Sequence, residues 1–377
     1  MSVLSIPAGS PRSTETSLRR KKVLKSEDRG RLTPVRRPTA IDLFAGCGGL
    51  TYGLKGAGFT VAGAIEIDAK AAGTYRHNHR EVAMKVADIQ AVDPRQWMSE
   101  LGLVEGELDL LAGCPPCQGF STLRTRNGSK RNRDKRNILV FEMLRFVSVF
   151  RPKAVMMENV PGLKDHRMFQ DFRGGLKRLG YIVRSTVEDV RYFGVPQRRR
   201  RLIMLAGREI KLEFAPRSTQ IVTVRDAIGT LPLAGQSGDV LHDYSEKRTP
   251  RTQALIVRIP KNGGGRLDLP HSEQLRCHQD SDGFKDTYGR MAWDSVAPTI
   301  TTGCFNPSKG RFLHPDEDRC ITMREAALLQ SFPRSFRVAK GTTKTQAARM
   351  LGNALPPEFI RRHALQVRRA IVEAAMD

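Results

Sequence analysis

From residue 38 onward, short unbroken apolar runs alternate with stretches of helical spacing. The run at 39–45 leads into Gly-Cys-Gly-Gly and then a helical stretch ending near residues 57–58. Further runs at 61–67, 83–87, 108–112, 153–160 and 201–207 are predicted strands, and 137–150 has the apolar spacing of a helix. Strands that are apolar throughout, separated by helices, must be buried on both sides. The pattern therefore predicts an α/β fold, a mostly parallel sheet with helices on both faces.

The rhythm breaks after residue 207. Residues 208–318 are irregular and rich in Gly, Pro, Asp and Arg, and regular spacing returns only at 322–331, 343–351 and from Pro357. So long an irregular block is not a loop of a compact domain. It predicts a second, smaller domain between a first domain at 38–207 and a C-terminal segment, 319–377, that returns to the first. Residues 1–37 carry ten basic and three acidic side chains among Ser, Thr and Pro. That composition predicts a disordered basic tail.

Charge narrows the choice of partner. The chain has 63 Lys and Arg against 39 Asp and Glu, a net charge of +24. Such an excess attracts a phosphate-rich polymer or an anionic membrane. No apolar run approaches the roughly 18 residues of a membrane span, so nucleic acid is favoured. Six cysteines, at 47, 114, 117, 277, 304 and 320, do not form the dense set of a disulfide scaffold and fit a reducing compartment.

Four constellations could carry chemistry. Gly46, Gly48 and Gly49 follow the first strand, where a ligand can approach the backbone, and Glu66 ends the next strand. That spacing suits a carboxylate meeting a ribose, although Thr51 stands where a dinucleotide fingerprint has Gly or Ala. Asp88, after the third strand, is either a second adenosine contact or a turn cap. Cys114-Pro-Pro-Cys117 follows the fourth strand and opens a loop with seven Lys or Arg between 118 and 137. The Cys-x-x-Cys spacing alone leaves zinc, redox chemistry and a nucleophile open. With His79-Arg80-Glu81 upstream it echoes the zinc nucleobase deaminases, but Gly113 then stands in place of Pro. Glu158 closes a buried strand at the same sheet edge. In Gln197-Arg-Arg199-Arg-Arg201, residues two apart share a face, so 197, 199 and 201 point one way and 198 and 200 the other.

Together and in this order the motifs resemble the DNA (cytosine-5) methyltransferases of bacterial restriction-modification systems, over residues 38 to about 365. The resemblance rests on DLFAGCGGL at 42–50, IEID at 65–68, ADI at 87–89, PPCQGFS at 115–121, ENV at 158–160, QRRRR at 197–201, RCITMREAALLQSFP at 319–333 and MLGNALPP at 350–357. It implies a Rossmann-like S-adenosylmethionine-dependent domain, a target-recognition region at 208–318, and no metal. It also implies methyl transfer to a cytosine flipped out of double-stranded DNA. By the resemblance, Cys117 is the covalent nucleophile, and Glu158 holds the N3 and amino edge of the base. Arg199 and Arg201 orient that glutamate and the cytosine carbonyl. Cofactor contacts fall to Phe44, Gly46, Gly48, Gly49, Glu66, Ile67, Asp88, Ile89, Pro116 and Asn353. DNA contacts fall to Gln118, Ser121, Arg124, Arg126 and Gln197, and Arg266, Arg276 and Arg290 could each meet a guanine edge, hold a phosphate or do neither. Expected alongside are a bacterial cytoplasmic, nucleoid-associated location, action as a monomer on DNA, and a partner endonuclease or defence system. A relative that methylates tRNA is the nearest alternative, but the Cys-Phe-Thr element of that group is missing.

Overall fold

The sheet is organised around a central strand, Thr39–Leu43 (β1), whose residues are buried on both sides. In this computed structural model the described residues are 37–116, 139–275, 279 and 285–376. The other strands are Thr60–Glu66 (β2), Ala83–Val86 (β3), Leu110–Gly113 (β4), Ala154–Asn159 (β5), Tyr181–Asp189 (β6) and Arg200–Arg208 (β7). They lie in the order β3-β2-β1-β4-β5-β7-β6. Strands β1 to β5 pair in parallel, and β7 runs antiparallel to both of its neighbours. The expected mostly parallel sheet is present.

Alternate strand residues feed two separate cores. Leu110, Ala112, Ala154 and Met156 face one side, and Leu111, Val155 and Met157 the other. The first side is covered by helices Gly49–Gly56 (α1) and Pro357–Glu373. They pack closely enough that a methyl group on Gly53 would lie 2.6 Å from Ile360 Cβ. The second side is covered by helices Pro94–Glu100, Leu139–Phe150 and Arg167–Arg178, whose Trp97, Phe146, Phe150, Phe169 and Phe172 are fully or almost fully buried. Each aromatic side chain removed from water contributes roughly 1.5–3 kcal/mol to the packing on that face.

A third core joins Val224, Ile256, Met291, Ile300, Phe312, Leu329 and Leu351 beneath the irregular block and the C-terminal segment. The described residues from 37 onward belong to one compact unit. The tail at 1–36 lies outside the described residues. Strand β6 was not visible in the amino-acid pattern: it is the edge strand, and most of its positions are only half-buried. Among the described residues no helix is long and apolar enough to cross a membrane.

Candidate active site

The five parallel strands end at one edge, and the chemistry-bearing residues leave from those ends. At the end of β1, Phe44 takes a left-handed conformation, with φ of 62°, uncommon for a side chain of that size. Gly48, with φ of 95°, caps α1, and a methyl group there would meet His79 Nε2 at 2.5 Å. Glu66 holds the turn. One carboxylate oxygen accepts from the Gly46 amide and the other from the Asp68 amide, both at 2.8 Å. Each oxygen keeps lone pairs for a ligand hydroxyl. Ile67, beside it, is 66% exposed.

Asp88 caps the turn at 89–91, accepting from the Gln90 amide at 3.0 Å, while Ile89 is buried. Both readings offered for Asp88 are compatible with that position. Pro116 is half-buried past the end of β4, and Asn353 is an exposed residue closing helix Lys344–Asn353. From the β3 end to the β5 end is four strand spacings, about 19 Å. An exposed apolar side chain beside a carboxylate, a glycine turn and a buried acid thus follow one another along the edge. That order fits an extended adenosine cofactor, with Ile67 and Asp88 toward a base, Glu66 toward a ribose and the glycine turn toward the amino-acid end.

The glycine turn is supported from behind. The Thr51 hydroxyl donates to Asp42 at 2.7 Å and lies 2.7 Å from the Tyr75 hydroxyl. His79 Nε2 sits 3.2 Å from the Gly48 carbonyl. Burial pushes Asp42 up to about 7, opposed by the Thr51 hydrogen bond and aided by nearby Glu66. Burial lowers His79 to about 4, leaving a neutral ring. This support was missed by the sequence reasoning. Thr51, set aside as a departure from a fingerprint, was its one visible signal. Among the described residues the one group of three side chains suited to a metal is His314, Glu317 and Glu325, far along the chain from His79 and Cys114. Glu317 and Glu325 already pair with Arg319.

At the β5 end, Glu158 is 6% exposed, and its Oε1 lies 2.8 Å from Arg201 Nε. That oxygen makes no aligned hydrogen bond. Burial raises the Glu158 carboxyl above the ordinary range, with Arg201 first and Arg199 next pulling it back. The carboxyl therefore takes up a proton more readily than an exposed glutamate does. Beside it in the parallel register comes Cys114, whose thiol burial drives well above the usual range, with the Glu158 charge adding to the shift. It stays protonated and unreactive. The Asn159 amide donates to the Pro115 carbonyl at 3.0 Å, tying the start of the loop at 117 to the end of β5. Cys117, Gln118, Ser121, Arg124, Arg126 and Arg276 lie outside the described residues.

The 197–201 alternation holds: 197 and 199 are buried and 201 half-buried, while 198 and 200 are exposed. Four expected contacts need correction. Gln197 has no exposed surface and hydrogen-bonds Ile300 and Gln330, so it does not face DNA. Arg199 gives its two terminal nitrogens to main-chain carbonyls rather than to the site. Arg290, also fully buried, donates to the carbonyls of 256, 259, 314 and 317, and Arg266 is 2% exposed. Neither can reach a guanine edge as placed.

Comparison with known proteins agrees with this geometry. A family model described as C-5 cytosine-specific DNA methylase matches residues 39–369. The type II methylase M.HgiDII of Herpetosiphon aurantiacus is 36% identical over 347 residues, 87% of this chain and 94% of the relative. Type II methyltransferase M1.HphI of Haemophilus parahaemolyticus is 34% identical, over 85% of this chain and 83% of its own. Among solved structures, a candidate DNA modification methyltransferase encoded within an Escherichia coli prophage superposes with a TM-score of 0.65 at 26% identity. It covers 89% of this chain and 99% of that one.

Proposed function

Because the chain belongs to the C-5 cytosine-specific DNA methylase family, and is thus a DNA (cytosine-5) methyltransferase, we propose that it modifies a cytosine swung out of duplex DNA through a covalent adduct on Cys117. The buried Glu158–Arg201 pair at the β5 end, next to the strand that leads into Cys117, carries the reading. S-adenosylmethionine, the donor used by the family, supplies an electrophilic methyl group. Glu66 with the glycine turn, Ile67, Asp88, Pro116 and Asn353 would hold it.

The remaining steps belong to protein side chains and the base. The Cys117 thiolate bonds to C6, and Glu158, which takes up a proton from solvent as the base docks, passes it to N3 as the ring's electron pair shifts toward C5. Arg201 keeps the carboxylate left on Glu158 in place. Once C5 carries the methyl group, a base passes its proton to solvent, the Cys117–C6 bond breaks with the sulfur keeping the electron pair, N3 returns its proton to Glu158, and aromaticity returns. Exposed Arg198 and Arg200, and the basic loop after Cys117, are suited to phosphate. Unstacking the base costs a few kcal/mol, which those contacts offset.

The two relatives bear type II methylase names, which supports a restriction-modification role here. The enzyme would act as a monomer on DNA in the bacterial cytoplasm, protecting sites that a partner endonuclease cuts. Bisulfite sequencing of DNA from a host expressing the chain tests the reading. Methylcytosine should occur in one sequence context and vanish with Cys117→Ser. An unmethylated genome with the wild type, or methylation that survives Cys117→Ser, overturns it. Label transfer to tRNA but not to duplex DNA would favour the tRNA alternative.

A further inference from the structure

Four stretches far apart in the chain meet around two buried polar side chains. Residues 196–199 precede β7, 297–302 lie late in the irregular block, 329–330 end helix Met323–Leu329, and 351–354 carry Asn353. The first two pair along their backbones: the Ala297 amide donates to the Pro196 carbonyl at 3.0 Å, and the Arg198 amide donates to the Ala297 carbonyl at 2.8 Å. The Thr299 hydroxyl adds a 2.7 Å bond to the Arg198 carbonyl.

Gln197 and Arg199 then reach inward from this pair. The Gln197 amide oxygen accepts from the Ile300 amide at 2.8 Å, and its nitrogen lies 3.3 Å from Gln330 Oε1. Gln330 in turn donates to the Leu351 carbonyl. Arg199 donates to the Ile300 carbonyl at 2.9 Å, to the Gly352 carbonyl at 3.2 Å and to the Ala354 carbonyl at 3.3 Å. Gly352 passes so near the 301–302 backbone that a methyl group would sit 2.3 Å from the Thr302 amide nitrogen. No water can take over these bonds, because Gln197 is 0% and Arg199 4% exposed.

We propose that Arg199, seconded by Gln197, is a positioning residue that locks the cofactor-side turn at 352–354 and the 300–302 stretch onto the strand bearing Arg201. The terminal nitrogens of Arg199 are spent on main-chain carbonyls. Arg201 is two positions on, one full pleat of the strand, so any shift of the clamp displaces the partner of Glu158 as well. A guanidinium suits the task because its rigid fork serves carbonyls in several directions at once, which an ammonium on a flexible stem does less well. The proposal rests on the reading of Asn353 and its neighbours as part of the S-adenosylmethionine pocket.

Calorimetric binding of S-adenosylmethionine and hydrogen exchange of the full chain test the clamp without requiring activity. Arg199→Met should weaken binding at least about tenfold, with Arg199→Lys intermediate, as expected when buried carbonyls lose a charged donor. Peptides spanning 300–302 and 351–354 should exchange faster in the same order. Phe172→Ala, buried under the opposite face of the sheet, should lower the melting temperature yet leave both readouts unchanged. If Arg199→Met does not fold, Arg199→Lys carries the test. Wild-type affinity in the Arg199 variants with unchanged exchange at 351–354, or equal changes in Phe172→Ala, overturns the clamp. Failure of the wild type itself to bind the cofactor would instead overturn the pocket assignment.

Discussion

Removing either member of the Glu158–Arg201 pair should damage stability and chemistry together, and a double-mutant cycle separates the two. The charged atoms lie 2.8 Å apart, and the side chains are 7% and 14% exposed. At an effective dielectric near 20 that separation corresponds to an attraction of about 6 kcal/mol. Part of it offsets the desolvation of two ions, so deleting one partner should cost about 3–5 kcal/mol, chiefly through the charge left buried and unpaired. Glu158→Gln leaves Arg201 stranded, and Arg201→Met leaves Glu158 stranded. Each single variant should melt on the order of 5–10 °C lower. The double variant strands nothing, so its loss should fall short of the sum by about 2–3 kcal/mol. Methyl transfer should drop by roughly 10²–10⁴ in all three, because the proton donor to the ring, or its alignment, is gone. Urea unfolding at pH 8 and single-turnover label transfer read the two quantities. Strictly additive stability losses would refute the buried-pair reasoning, and a Glu158→Gln enzyme with wild-type turnover would refute the role at N3.

Two further outcomes are expected. Asp42 is raised to about 7, so the unfolded chain loses this proton first as pH climbs from about 4. Wild-type stability should therefore fall relative to Asp42→Asn between pH 4 and 7, by up to about 4 kcal/mol, and then level off; a difference constant across a pH series of unfolding curves would disprove it. Gly352→Ala must push apart two backbones that now touch. It should cost about 1–3 kcal/mol and weaken S-adenosylmethionine binding, as differential scanning calorimetry with and without the cofactor would show.

What could be read from the amino acids depended on how far each residue's partners lie along the chain. The strand–turn junctions at 42–49, 66 and 158 were legible because a local pattern, apolar run then Gly or acid, defines a sheet edge. The alternation at 197–201 was legible for the same reason. The duties of Gln197 and Arg199 were not, since their partners stand 101 to 155 positions away. Arg266 and Arg290 misled in the opposite sense. Arginine in a Gly-rich stretch suggests a surface, yet here Arg290 is buried and donates to four main-chain carbonyls, and Arg266 is buried with its guanidinium against the Gln274 side-chain oxygen. Strand β6 escaped notice because its sheet edge leaves its positions neither plainly apolar nor plainly polar.

The pairing of α1 with the helix at 357–373 sets an order on biogenesis. The glycine turn is translated early, but the surface that Gly53 and its neighbours present stays bare until Ile360 and the residues around it leave the ribosome. A nascent chain halted before that point has the motifs for grasping the methyl donor without the wall behind them. Chains halted there should therefore hold the methyl donor poorly, so that marking of the genome waits for the finished polypeptide.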